Sequence, residues 1–216
     1  RIMRTIMERE HHLPFNTNRR KFIQYTGALI GGMALPLVTK GSLPTGNNTL
    51  KVGLIGCGGR GAGAASQALA ADPDTILTAM GDVFVDRLDE SYAALLEMYP
   101  DRVKVNKSNK FIGFDAYQKV INSGVDVVLL ATPPGFRPDH LAAAVEAGKH
   151  TFSEKPVAVD APGVRKVLAA AKKAKEKNLS VVSGFCFRYD NPKRELFKKV
   201  LDGEIGQIRT ISTIRN

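Results

Sequence analysis

Tryptophan is absent from this 216-residue chain, and cysteine occurs only at Cys57 and Cys186. Two thiols so far apart form neither a zinc pattern nor a disulfide framework, so both are expected to be free. No spacing of His, Asp or Glu suggests a metal site, and no metal is expected. There is no Gly-x-Ser-x-Gly elbow, which removes the commonest signature of a serine hydrolase. Aromatic residues make up only 7% of the chain and do not interleave with basic runs. The net charge is +10, but half of it lies in the first 50 residues. The remainder is only mildly basic, so no nucleic-acid partner is expected. What is left is an ordinary globular composition, 44% hydrophobic and 24% charged. The length suits one domain with its own core plus an attachment.

The N-terminal region differs from the rest. Asn18-Arg19-Arg20-Lys21 precedes an uncharged stretch, Phe22 to Thr39, that contains Leu29, Ile30, Met33, Leu35 and Val38. This stretch approaches a membrane span in length, but Gly27, Gly31, Gly32 and Pro36 dilute it. Paired arginines before a weakly apolar run resemble a twin-arginine export signal. Residues 1–40 are therefore expected to engage the twin-arginine export machinery. The protein is then periplasmic or otherwise exported, with removal of the signal or its retention as a membrane anchor both open. Residues 41–49, rich in Gly, Ser, Pro and Asn, read as a linker. The first residue is Arg1, and Gly206 to Asn216 reads as a strand with no following partner, so truncation at both ends is expected.

Residues 50–55 read as a short buried strand, followed at once by Gly56-Cys57-Gly58-Gly59-Arg60-Gly61 and by an Ala-rich helix from Ala62 to Ala71. This is G-x-G-x-x-G in its required strand–turn–helix setting. Gly56 permits the tight turn, Gly58 lets backbone approach a pyrophosphate, and Gly61 lets the helix pack on the strand. The second strand, Thr75 to Asp82, ends on a carboxylate at the distance where this motif places an acid for the adenosine ribose. A carboxylate there repels a 2′-phosphate. The expected cofactor is therefore NAD, with NADP less favoured, although Arg60 and Arg87 soften that preference.

Strands and helices continue to alternate. Helices are predicted over 85–98, 115–122, 140–147, 160–177 and from Asn191 to Leu201. Strands are predicted over 125–131, 150–153 and 179–183. The 160–177 helix is expected to turn Val164, Val167, Leu168, Ala171 and Ala174 inward. The implied fold is α/β, a Rossmann-type doubly wound parallel sheet. Ligands in such sheets bind beyond the carboxyl ends of the strands. The segments there are Thr132-Pro133-Pro134 leading to His140, then Glu154-Lys155-Pro156, then Gly184 leading to Arg188-Tyr189-Asp190.

Together the glycine turn, Asp82, Thr132-Pro133-Pro134 with His140, Gly148-Lys149-His150 leading to Glu154-Lys155-Pro156, and Arg188-Tyr189-Asp190 resemble the Gfo/Idh/MocA oxidoreductases. Glu-Lys-Pro is the most specific part, and the resemblance runs from about residue 50 to the last residue. It implies a Rossmann domain over 50–184. It also implies that 185–216 begin an α/β substrate and oligomerisation domain, most of which is not in this chain. The implied activity is NAD(P)-linked oxidation or reduction of a sugar or cyclitol carbon, in a homo-oligomer. Carried over position by position, the cofactor would meet Gly56, Gly58, Gly59, Arg60, Gly61, Asp82, Thr132, Pro133, Pro134, His140, Glu154 and Lys155. The substrate would meet Lys155, Arg188 and Tyr189, with Lys155 as the catalytic residue. The family's base, commonly a His of the second domain, has no counterpart here.

Residue chemistry supports Lys155 independently. An ammonium at a crevice base can hydrogen-bond a substrate oxygen and favour a developing alkoxide, and burial would help it relay a proton. The bond before Pro156 is a candidate cis peptide. Two other functions fit the same residues. One is a glycosidase that uses NAD transiently to oxidise a ring hydroxyl. The other is a dinucleotide-binding module without catalysis.

Overall fold

The chain divides into two units, residues 1–45 and 46–216. The computed structural model describes residues 49–212, which belong to the second. The expected export signal, and all but the last residue of the linker, lie outside the described residues.

Six parallel strands form one sheet, in the order β3-β2-β1-β4-β5-β6. They are β1 (Leu50–Ile55), β2 (Thr75–Asp82), β3 (Lys110–Ile112), β4 (Val127–Leu130), β5 (His150–Ser153) and β6 (Val181–Ser183). The helices are α1 (Gly59–Ala71), α2 (Val85–Met98), α3 (Ala116–Ile121), α4 (Arg137–Glu146), α5 (Ala161–Glu176), α6 (Cys186–Tyr189) and α7 (Asn191–Leu201). This is the doubly wound sheet expected from the alternation.

The chain builds outward from β1 to β3, then returns to place β4 on the other side of β1. The reversal at β1 and β4 opens a crevice above their carboxyl ends. Both faces of the central strands are covered, so their sequences are nearly unbroken apolar runs. One core holds Leu54, Leu69, Leu77, Leu88 and Leu95, beneath α1 and α2. The other holds Val120, Val128, Leu130, Leu141 and Val145, beneath α3 and α4. Each fully buried Leu or Val contributes about 1.5–3 kcal/mol of transfer free energy. The rim of the crevice therefore rests on a rigid base.

Several expectations need correction. α1 begins at Gly59, not Ala62, because the glycine turn already takes up helical conformation. α4 begins at Arg137, with Pro138 in its first turn, so His140 lies within the helix rather than at its start. The strand expected over Gly206 to Asn216 is not formed in its described part, where residues 206–212 are irregular and exposed. A strand needs a neighbour to pair its backbone groups, and among the described residues none lies beside it. In α5 the buried residues are Ala170 and Ala174, whereas Val164 and Leu168 are exposed. The helix leans on α4 along a small-residue stripe, which turns that flank outward. Cys57 and Cys186 are free thiols, as expected.

Candidate dinucleotide site

The glycine turn shows why each glycine is there. Gly56 has φ +92°, and a Cβ on it would lie 2.6 Å from the Thr132 nitrogen. A Cβ on Gly61 would overlap the Gly56 carbonyl oxygen. These two positions are closed by backbone. Gly58 and Gly59 are different, because a Cβ on either would meet nothing within 4 Å. They border open space at the start of α1. Gly58 caps that helix in an extended conformation, with no side-chain cap and no acidic residue in the first turn. The first N–H groups of the helix have no partner within it. This is a cradle for an anion, and the residues fit a pyrophosphate.

Asp82 sits at the end of β2 beside that cradle. The Cys57 N–H donates to its Oδ2 at 2.6 Å, and the Phe84 N–H donates to its Oδ1 at 2.9 Å. The carboxylate is thus fixed against the turn, and each oxygen retains acceptor capacity for a ribose hydroxyl. Burial, and then the charge of Asp82, push the Cys57 thiol far above its usual range. Cys57 is a small space-filling residue here, not a nucleophile.

Thr132, Pro133 and Pro134 follow β4 and face the same rim, and backbone of Thr132 touches Gly56. His140 lies beneath them. Its Nδ1 is 3.2 Å from Thr132 Oγ1, and its ring stacks on Tyr117 with centroids 4.1 Å apart. Burial lowers its pKa to about 4, with Asp139 opposing, so the imidazole is neutral at neutral pH. The structure places His140 against Thr132 rather than on the open rim.

Glu154 and Lys155 follow β5. The Glu154 carboxylate is buried, and Arg60 reaches it from α1 with Nε 2.7 Å and Nη2 2.5 Å from Oε1. A Cβ on Gly184 would come within 3.0 Å of both Glu154 carboxylate oxygens, so a glycine directly follows β6. The pair ties the glycine turn to the end of β5. Lys155 itself is exposed rather than buried, and its bond to Pro156 is cis. Arg188 and Tyr189 lie on the short helix α6 and are exposed. Arg188 approaches the Phe185 ring, and Asp190 pairs with Lys193 instead. Among the described residues no hydrogen bond or ion pair joins Arg188 or Tyr189 to Lys155.

Arg137 is the residue that sequence reasoning missed. It opens α4, is only 6% exposed, and donates through Nη1 to the carbonyls of Glu154, at 2.9 Å, and Pro156. Burial lowers its pKa, and the charge of Glu154 opposes that shift. A cation in the first turn of a helix opposes the helix dipole. That is the one sequence-level sign that this arginine serves something outside its own helix. Among the described residues no group of three His, Cys, Asp or Glu side chains comes together to hold a metal.

Residues 50–183 match the family described as an oxidoreductase family with an NAD-binding Rossmann fold. The chain belongs to the Gfo/Idh/MocA oxidoreductases. It is 29% identical over 158 residues to myo-inositol 2-dehydrogenase of Thermotoga maritima, an alignment covering 73% of this chain and 42% of the relative. It is 27% identical over 180 residues to dTDP-3,4-didehydro-2,6-dideoxy-alpha-D-glucose 3-reductase of Actinomadura kijaniata, covering 78% and 46%. Among solved structures, scyllo-inositol dehydrogenase of Lactobacillus casei, with NAD(H) and scyllo-inositol bound, superposes with a TM-score of 0.57 at 25% identity. That match covers 74% of this chain and 43% of the other. A 3-ketoreductase of Actinomadura kijaniata in complex with NADP gives 0.58 at 28% identity, covering 75% and 47%. The chain thus spans less than half the length of these relatives. The glycine turn and Asp82 both lie within the matched span.

Proposed function

We propose that the protein is an oxidoreductase that moves a hydride between a hydroxyl-bearing carbon of a sugar or cyclitol and NAD. The observation that carries this reading is the gathering of the open glycine turn, the fixed Asp82 carboxylate and Lys155 at one rim, beyond β1, β2 and β5. The relatives named above act on inositols and on a deoxysugar nucleotide, which supports the substrate class.

In this reading Gly58 and Gly59 expose N–H groups to the pyrophosphate, and Asp82 accepts hydrogen bonds from the adenosine ribose. The nicotinamide, when bound, supplies a hydride acceptor or donor. Lys155 donates a hydrogen bond to the substrate oxygen and stabilises the negative charge that grows there as the carbon is oxidised. Thr132, held by His140, lines the rim between them. Arg188 and Tyr189 contribute to the substrate side. Asp82 favours NAD over NADP, because its carboxylate would face a 2′-phosphate. Arg60 does not offset this charge, since it is paired with Glu154.

We also propose export by the twin-arginine route, on the strength of Arg19-Arg20 before the uncharged run from Phe22 to Thr39, and assembly as a homo-oligomer. The test of the activity is incubation of the full-length native protein with NAD and a panel of cyclitols, hexoses and glycosides. The absorbance of reduced nicotinamide and the sugar products are followed together. Net NAD reduction supports the proposal. Glycoside cleavage without net reduction would replace it with the NAD-dependent glycosidase reading. NADH binding without turnover of any compound would leave a dinucleotide-binding module.

A further inference from the structure

Lys155 carries the chemistry in the reading above, yet its side chain is exposed and makes no hydrogen bond among the described residues. Something must fix the backbone from which it projects. β5 ends at Ser153, so the sheet holds only one side, where the Glu154 N–H donates to the Leu130 carbonyl. The other side is held by Arg137. Its Nη1 donates to the carbonyl of Glu154, the residue before Lys155, and to that of Pro156, the residue after it. A single nitrogen therefore bridges the carbonyls of the residues before and after Lys155.

Among the described residues nothing else accounts for this arginine. It is nearly fully buried, its Nε has no hydrogen-bond partner among the described residues, and it stands at the cation-disfavouring end of α4. The Glu154 carboxylate is already occupied by Arg60. Surface arginines settle such conflicts by turning to water. Arg137 instead directs Nη1 to two main-chain oxygens, and the feature these share is that they flank Lys155. The neighbouring Thr132–His140 contact lies on the same loop and helix, so the clamp also couples the rim after β4 to the rim after β5.

We infer that Arg137 is a positioning residue: its guanidinium clamps the Glu154 and Pro156 carbonyls and so sets where the Lys155 ammonium meets the substrate oxygen. The inference rests on the proposed role of Lys155. Its energetic content is placement, since misplacement of a reacting group by about 1 Å costs on the order of 100-fold in rate.

The test compares wild type, Arg137→Met and Arg137→Lys in the full-length native protein. Arg137→Met keeps the length and the apolar stem but removes the donors. It is expected to lower kcat roughly 10- to 100-fold, while the Kd for NADH stays within about twofold. Amide exchange at Glu154, Lys155 and Val157 should speed up by at least about tenfold. Because one nitrogen makes both contacts, Arg137→Lys should restore kcat to within about threefold of wild type. An Arg137→Met protein with wild-type kcat and exchange would overturn the inference. So would parallel losses of NADH affinity and kcat, or a folded Arg137→Lys protein with no recovery. If wild type itself binds NADH but turns nothing over, the activity proposal has failed. The exchange comparison then decides the clamp alone, with unchanged rates at Glu154, Lys155 and Val157 refuting it.

Discussion

Two glycines three positions apart should respond to the same substitution in opposite ways. A methyl group on Gly61 would overlap the Gly56 carbonyl oxygen, and Gly56 is itself pressed against the Thr132 backbone. Neither segment can give without parting α1 from the end of β1, or that end from the segment after β4. Overpacking of this kind costs about 1–3 kcal/mol. In a domain of this size each kcal/mol lowers Tm by about 2–4 °C. A methyl group on Gly58 meets nothing within 4 Å. Gly58 has φ −70° and ψ 176°, which alanine adopts freely. Gly58→Ala should therefore leave Tm unchanged, or raise it through a gain of about 0.4–1 kcal/mol from the stiffer unfolded chain. It should nonetheless hold a pyrophosphate off the helix N–H groups. Loss of one charge-assisted hydrogen bond, about 1.5–3 kcal/mol, weakens NADH by about 10- to 100-fold. Differential scanning fluorimetry and fluorescence titration with NADH on the same preparations separate the two effects. If Gly58→Ala bound NADH like wild type, the pyrophosphate would not lie on this turn. If Gly61→Ala left Tm unchanged, the approach of α1 to the end of β1 would not be tight.

The other predictions follow from single groups. Asp82→Ala removes the acceptor for the Cys57 and Phe84 N–H groups; it should cost about 1–3 kcal/mol of stability and raise NADPH affinity relative to NADH by about tenfold, read by denaturant melts and competition titration. Retained NADH preference would refute the assigned role of the carboxylate. His140 is held neutral, with a pKa lowered from 6.5 to about 4, so the unfolded chain takes up its proton first as pH falls. Stability should decline from about pH 6.5 toward about pH 4 and level off below, by about 1–3 kcal/mol relative to His140→Gln. Parallel pH profiles for the two proteins would show that the imidazole is not buried as described.

Much of this arrangement was legible because it rests on backbone demands that sequence states openly. A glycine turn between an apolar strand and an Ala-rich helix, with an acid ending the next strand, locates a dinucleotide site by geometry alone. The central strands declared themselves by unbroken apolar runs, as Val127–Leu130 does. The third strand could not, because three residues, Lys110–Ile112, are too short to show a period. Helix starts drifted for a related reason: Gly59 is a poor helix former and Arg137 stands directly before Pro138, so tertiary packing decides both. The pairings Arg60–Glu154 and Arg137 with the carbonyls around Lys155 join segments far apart in the chain. Long-range charge contacts leave no local pattern. His140 was expected at the site, but its burial under Thr132 and beside Tyr117 depends on where α3 and α4 meet.

The most direct measurement is made on Lys155→Met in the full-length native protein. NADH affinity and NAD-linked oxidation of a cyclitol or sugar identified in the substrate panel are measured side by side. The expected result is an NADH Kd within about twofold of wild type and a turnover rate reduced by at least about 100-fold. A variant that turns over at the wild-type rate with its cofactor site intact would contradict the assignment of the chemistry to Lys155.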